Sequence, residues 1–304
     1  MTPSRTAIIL NSLAIYLIWG STYLTIKYAV ADIPPLLLAG GRFVLAGAIL
    51  LAIAQIKNER SLDRKTMKRA VLSGSLLVMG NALVCVAETT ISSGMAAVIV
   101  GSVPIWVMIF SWTIFRGKRP SPRQFTGIFV SFIGLIVLSG SQGAAEYGSL
   151  KGVAAILVGV ISWAFGTLLQ SKADTKGRLI RYSGFQLFFG SSAAFIFAAM
   201  AGEYQAFEWA KIGPLALASY FYMVIFGSAI AFSSYLWLSQ NLEPSKVSTY
   251  AVVNPLVAVW LGWALLDEPL TLTIIVCTLM VLAGIYFVIF PKRSKKPLLT
   301  PATN

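Results

Sequence analysis

Histidine is absent from this chain of 304 residues, cysteine occurs twice, and aspartate and glutamate together number only 11. With no histidine, no metal-ligand cluster, no paired carboxylates in an apolar stretch and no Gly-x-Ser-x-Gly turn, acid–base and metal-assisted chemistry lack their groups. The chain is therefore expected not to be an enzyme, and to need neither cofactor nor metal. Cys85 and Cys277 both stand inside apolar runs, which reads as small apolar filler rather than a disulfide or a metal pair. Charge is scarce as well: 12% of residues are charged against 57% hydrophobic. That composition excludes a water-exposed globule.

What the sequence has instead is length of apolar run. About 20 apolar residues suffice to span a bilayer, and ten such stretches are legible, at 7–30, 34–55, 70–88, 92–115, 124–141, 150–171, 182–201, 214–238, 245–266 and 271–290. Backbone groups in lipid must be satisfied internally, so stretches of this length imply an all-α membrane protein of ten transmembrane helices with the bilayer as its partner. The first stretch is too long for a cleaved signal, is interrupted by Asn11-Ser12 and Gly20-Ser21, and reads as a retained span.

The net charge of +13 would suggest nucleic acid in a soluble chain, but its distribution excludes that reading. Arg5, the cluster Lys57, Arg60, Arg64, Lys65, Lys68 and Arg69, then Arg116, Lys118, Arg119 and Arg123, then Lys172, Lys176, Arg178 and Arg181, then Lys246, and finally Lys292, Arg293, Lys295 and Lys296 hold 20 of the 24 basic residues. All of them precede the first stretch, follow an even-numbered one or close the chain. The odd links hold only Lys151 and Lys211. Positive charge stays on the cytoplasmic side, so both termini are expected there.

The chain also repeats itself. Pro104 pairs with Pro255 and Trp112 with Trp263, each in the middle or later part of an apolar stretch; Trp19 pairs with Trp163, the Gly41-Arg42-Phe43 region with Gly184-Phe185-Gln186, Gly80-Asn81 with Gly227-Ser228, and Gly134 with Gly284. Five stretches per half is an odd number, so the second half enters the membrane upside down: 7–141 and 150–290 form two inverted five-helix repeats, and 291–304 a basic cytoplasmic tail. Inverted repeats mark transporters, with a site near mid-membrane between the halves. A basic turn after the fourth stretch faces an acidic Asp267-Glu268 turn after the ninth, in keeping with that inversion.

These residues resemble the drug/metabolite transporter superfamily in its EamA-type, ten-span branch. The resemblance is carried by Trp19-Gly20-Ser21, Arg42-Phe43, Ser93-Gly94-x-Ala96-Ala97 through Pro104, Gly127, Gly134, Trp163, Asn254-Pro255, Glu268-Pro269-Leu270 and Gly284, and it covers about residues 10–291. It implies a multi-pass carrier of the bacterial inner membrane, monomeric or weakly self-associating, that exports a small metabolite. Two positions depart from the pattern: the acidic residue after the fourth stretch is replaced by the Arg116–Arg119 run, and a glycine of the tenth is Cys277.

Small residues should mark close helix contacts in lipid, with Gly152, Gly159 and Gly166 drawing one seam and Ala97/Gly101, Gly227/Ala231 and Ala258/Gly262 others. Arg42 stands about 12 Å inside its span; a cation at that depth faces the interior with a partner, either Glu88 in an ion pair or a substrate carboxylate. Glu88 is the only carboxylate belonging to a span, so facilitated transport or exchange is expected, with proton coupling through Glu88 as the alternative. Lys27 is expected to snorkel outward. Trp19 and Trp163 at mid-depth, with Tyr23 one turn from Trp19, suggest a cavity wall, whereas Trp209, Trp237 and Trp263 suit the membrane interfaces. Asn81, Gln186 and Asn254 each need a polar partner or a ligand. Pro104 and Pro255 free the carbonyls four residues back and are candidate hinges. Together these residues describe an aromatic cavity for an amino acid or similar amphipathic solute. A passive channel and, more remotely, an intramembrane enzyme are the alternatives.

Overall fold

The computed structural model describes residues 4–140, 150–242, 247 and 249–289, and among these residues there are helices and no β-strand. We number the long helices α1 (Arg5–Ala29), α2 (Pro35–Ile56), α3 (Arg64–Glu88), α4 (Ser93–Thr113), α5 (Pro122–Gly140), α6 (Leu150–Gln170), α7 (Leu179–Met200), α8 (Pro214–Asn241), α9 (Tyr250–Leu266) and α10 (Leu272–Ile289). Eight of them are long and apolar enough to cross a membrane; the apolar part of α5, Pro122–Leu138, and α9 are shorter. The expected span ends at 141, 245 and 290 and the tail 291–304 lie outside the described residues.

The starts follow local chemistry. Ser4, Asp63 and Ser92 accept the backbone N–H of Ala7, Thr66 and Met95 at 3.1, 3.0 and 3.2 Å, each satisfying a donor that an N-terminal turn leaves open. Proline opens α2, α5 and α8 as Pro35, Pro122 and Pro214, where its missing N–H costs nothing.

Two internal features are irregular. α4 breaks into Ser93–Val100 and Val103–Thr113. Pro104 thus sits in the first turn of the second piece instead of bending one continuous helix, while Pro255 does lie inside an unbroken α9. In α8, Met223–Ile230 winds as a π-helix, a wider turn that recurs at functional sites.

Glycine sets the packing. A Cβ at Gly159 would stand 2.7 Å from the Gly80 oxygen, one at Gly166 would meet Leu77 and the Ser73 oxygen, and one at Gly152 would meet Thr90. The seam expected from these three glycines is the α3–α6 contact. Gly47 lies against the backbone of Phe188, joining α2 to α7, and Gly127 and Gly284 bring α5 against α10.

Equivalent helices run antiparallel. Glu59, just beyond α2, accepts N–H groups of Ile180 and Arg181 at the start of α7 (3.3 and 2.7 Å). Glu203, just beyond α7, accepts those of Leu36 and Leu37 at the start of α2 (3.0 and 2.9 Å). Both pairs are offset by 144 positions, as are Asn58 and Gly202, which share a left-handed φ of 52° and 75°. That offset moves the expected repeat register by one: Arg42 corresponds to Gln186. For α4 and α9 the offset is 151. Arg116 and Asp267 are both left-handed (φ 56° and 52°), and Gly117 N donates to Ser111 O as Glu268 N donates to Gly262 O (2.7 and 3.2 Å). The side chains break this likeness. Glu268 folds back over Gly262 to accept the Ser93 and Gly94 N–H groups of α4 at 2.7 and 3.1 Å, and a Cβ at position 262 would collide with it. Gly117, at the position corresponding to Glu268, has no side chain with which to make such a clasp.

Candidate functional site

Trp19 is the centre of an aromatic cluster. Its ring meets Trp163 edge-on at 6.1 Å, Tyr250 edge-on at 5.4 Å and Tyr235 at 5.2 Å, and its Nε1 donates to the Gly227 carbonyl at 3.0 Å. Such edge-to-face pairs fix ring orientation, so α1, α6, α8 and α9 are tied together at one depth. The carbonyl of Gly227 lies in the π-helical stretch of α8.

Beside this cluster is a cavity of about 60 Å³. Trp19, Tyr23, Arg42, Asn81, Trp163 and Asn254, six of the seven candidate substrate residues, line it together. Gln186 stands apart: its amide nitrogen donates to Ser73 Oγ and Gln170 Oε1 at 2.8 and 3.1 Å. The physical reason is the antiparallel pairing, which places the counterpart of Arg42 toward the opposite end of the bundle, where α7 closes on α3 at Gly74.

Arg42 is 2% exposed. Its Nε donates to Ser228 Oγ at 2.7 Å, and its Nη1 to Asn81 Oδ1 at 3.3 Å and Met223 Sδ at 3.5 Å. The expected Arg42–Glu88 ion pair does not form. The π-helical turn supplies both Met223 and Ser228 and reaches the guanidinium first, and Gly227 leaves room for it: a Cβ there would stand 3.1 Å from Nη2. Nη2 makes no hydrogen bond among the described residues. Nε and Nη1 are thus held, and Arg42 lines the cavity.

Asn254 directs its amide nitrogen at the carbonyls of Tyr250 and Tyr16, 3.2 Å each, which joins α9 to α1. Pro104 and Val103 line a second hollow of about 170 Å³, toward the end of the bundle that carries the basic links, with Thr167, Gln170, Ser239 and Tyr250. Val103 and Tyr250 border both hollows. Pro255 instead packs against Gly101 of the broken helix, its ring 3.2 Å from a Cβ built there.

Lys27 stands toward the opposite end. It does not snorkel; its ammonium donates to the carbonyls of Glu88 and Ile91 at 2.7 and 3.0 Å, a favourable place for a cation at the C-terminus of α3. Glu88 is fully buried. Trp209 and Trp263 are exposed, Trp237 is partly buried against the core, and Trp106 packs edge-on against Phe132 at 5.4 Å.

Sequence reasoning missed Tyr250, Ser228, Met223 and Gly227. Tyr250 was within reach, since it precedes Asn254 by one turn and shares its face. The other three depend on the π-helical winding of α8, for which the residues give no pattern. Among the described residues no group of three or more metal-ligating side chains occurs.

The sequence profile of the EamA-like transporter family matches this chain twice, over residues 6–140 and 150–290. The Escherichia coli K12 protein named uncharacterized inner membrane transporter YedA is 35% identical over 260 residues, 85% of this chain and 82% of that one. The uncharacterized transporter YvbV of Bacillus subtilis is 27% identical over 297 residues, 97% of this chain and 95% of its own. A crystal structure covering 93% of this chain and 96% of that protein aligns with a TM-score of 0.66 at 15% identity, a likeness of fold.

Proposed function

This chain belongs to the EamA-like transporter family, and on that premise we propose that it carries a small amphipathic metabolite with a carboxylate, such as an amino acid, out across the bacterial inner membrane by alternating access. The observation that carries the substrate class is the Arg42 guanidinium, held at Nε and Nη1 by Ser228, Asn81 and Met223 with Nη2 unengaged among the described residues, and lining a cavity walled by Trp19, Tyr23 and Trp163. A planar cation presented beside aromatic faces suits a carboxylate attached to an apolar body.

The inverted repeat supports a carrier over a pore. The cavity measures about 60 Å³, and passage of a substrate through the bundle requires it to widen toward one side at a time. Basic links are expected on the cytoplasmic side, which supports reading the larger hollow beside them as the vestibule through which a cytoplasmic solute would arrive. Pro104, at the break in α4, and Pro255, in α9, are the hinges of that widening.

The test is transport of a mixture of radiolabelled amino acids into proteoliposomes. Arg42→Gln and Trp163→Ala should each abolish saturable uptake while inserting in the membrane as the parent does. Normal transport by both variants would overturn this site.

A further inference from the structure

Both carboxylate oxygens of Glu88 are buried without a hydrogen-bond partner, and so is Ser93 Oγ nearby. No cation lies within ion-pair distance of Glu88 among the described residues. Lys27, the nearest candidate, spends its ammonium on the backbone carbonyls of Glu88 and Ile91. The carboxyl also terminates α3, where the helix dipole disfavours a negative charge. A dry, unpaired carboxylate at a helix C-terminus is costly on each count. Its neutral acid is the form compatible with this packing.

Glu88 stands seven residues beyond Asn81 and four beyond Val84, both of which line the central cavity, so the three share one face of α3. It lies one turn past the cavity, toward the end that Glu268 closes by clasping Ser93 and Gly94. The groups that act on it electrostatically come from every side: Lys27 and Tyr23 on α1, Arg42 on α2, Cys85 on its own helix and Glu268 before α10. If the Glu268 clasp parts, water reaches Glu88 and the freed Lys27 ammonium becomes its counter-ion. The O–H bond of the acid then breaks, the proton passes to water and the carboxylate pairs with the cation.

We propose that Glu88 is a proton-binding site, occupied while the Glu268 end of the bundle is closed and emptied to water when that end opens, the same water returning the proton on closure, so that protonation and closure of this mouth are linked. The proposal rests on the alternating-access reading above, but its first test does not need a substrate.

Infrared spectroscopy of the purified protein in nanodiscs at neutral pH should show the carbonyl stretch of a protonated carboxyl, which ionised carboxylates lack, and Glu88→Gln should remove it. Absence of that difference would overturn the proposal. In the wild type, hydrogen exchange at the Ser93 and Gly94 amides should rise, beyond the intrinsic base-catalysed increase, over the same pH interval in which the band fades. Exchange that ignores the band would sever occupancy from closure and sink the gating claim. Glu268→Ala should reduce the band at least twofold at neutral pH; an undiminished band in a folded variant counts equally against it. In proteoliposomes with the amino-acid mixture, Glu88→Gln should keep exchange and flatten its pH dependence; a pH dependence like that of the wild type counts against the gating claim. If wild type moves none of the mixture, the substrate reading fails while the infrared result still stands or falls by itself.

Discussion

Glu59 and Glu203 perform the same task at opposite ends of the bundle. Each lies just past the C-terminus of its own helix and accepts two backbone N–H groups from the first turn of the partner helix, Ile180 and Arg181 for Glu59, Leu36 and Leu37 for Glu203. An anion at a helix start satisfies open donors and meets the positive end of the dipole. The two carboxylates therefore lock α2 and α7 together head to tail.

Loss of either lock should be felt alone. Glu59→Ala and Glu203→Ala are each expected to cost about 0.5–2 kcal/mol, the range for losing an N-terminal cap. Because the sites are far apart, the double variant should show the sum. Thermal melting of the detergent-solubilised protein checks this; a double variant no worse than either single one would contradict independent locks.

Acid and base should act oppositely at two caps. Hydrogen bonds from the Thr66 hydroxyl and N–H hold the Asp63 carboxyl down at about 2, below its unfolded value of about 3.9. Its stabilisation is complete above that unfolded value and disappears as pH falls from about 4 through about 2. Burial pushes Glu203 upward against its two backbone bonds, so its contribution is greatest below the unfolded value of about 4.3 and declines as pH rises through the raised one. Melting temperature against pH should lose its steep acid limb in Asp63→Asn and its gentler opposite slope in Glu203→Gln.

Glycine at position 159 should be irreplaceable even by alanine. A methyl group would stand 2.7 Å from the Gly80 oxygen and 3.1 Å from Leu83 Cβ, so α3 and α6 must separate. Overpacking of this kind costs about 1–3 kcal/mol. Both glycines also border the cavity, hence Gly159→Ala should weaken transport as well as lower the melting temperature.

Ser228 should matter through Arg42. Ser228→Ala removes the acceptor of the Nε–H and leaves a buried charged donor open, at a cost of about 1–3 kcal/mol. Melting should report that loss, and ligand-induced stabilisation by the amino-acid mixture should shrink with it.

The sequence made the helical bundle, the glycine seam of α6 and the aromatic pairing of Trp19 with Trp163 legible, because each depends on composition or on spacing along one helix. What it concealed depends on neighbours. The break at Gly101-Ser102 turned Pro104 from a mid-helix kink into an opening residue. The π-helical turn of α8 captured Arg42 before Glu88 could, and antiparallel pairing carried Gln186 away from its counterpart. No local pattern announces such competitions; they are decided by which partner packs within reach.

The clasp at Glu268 bears on how the two orientations are balanced. A carrier whose halves matched in every side chain would divide its time equally between its two orientations in the absence of any gradient. Here a charged acceptor holds two amides at one mouth, while Gly117, at the corresponding turn, has no side chain with which to answer. A difference of only about 1.4 kcal/mol tilts such a balance tenfold. On the alternating-access reading proposed above, this clasp would favour an idle posture shut at the Glu268 mouth.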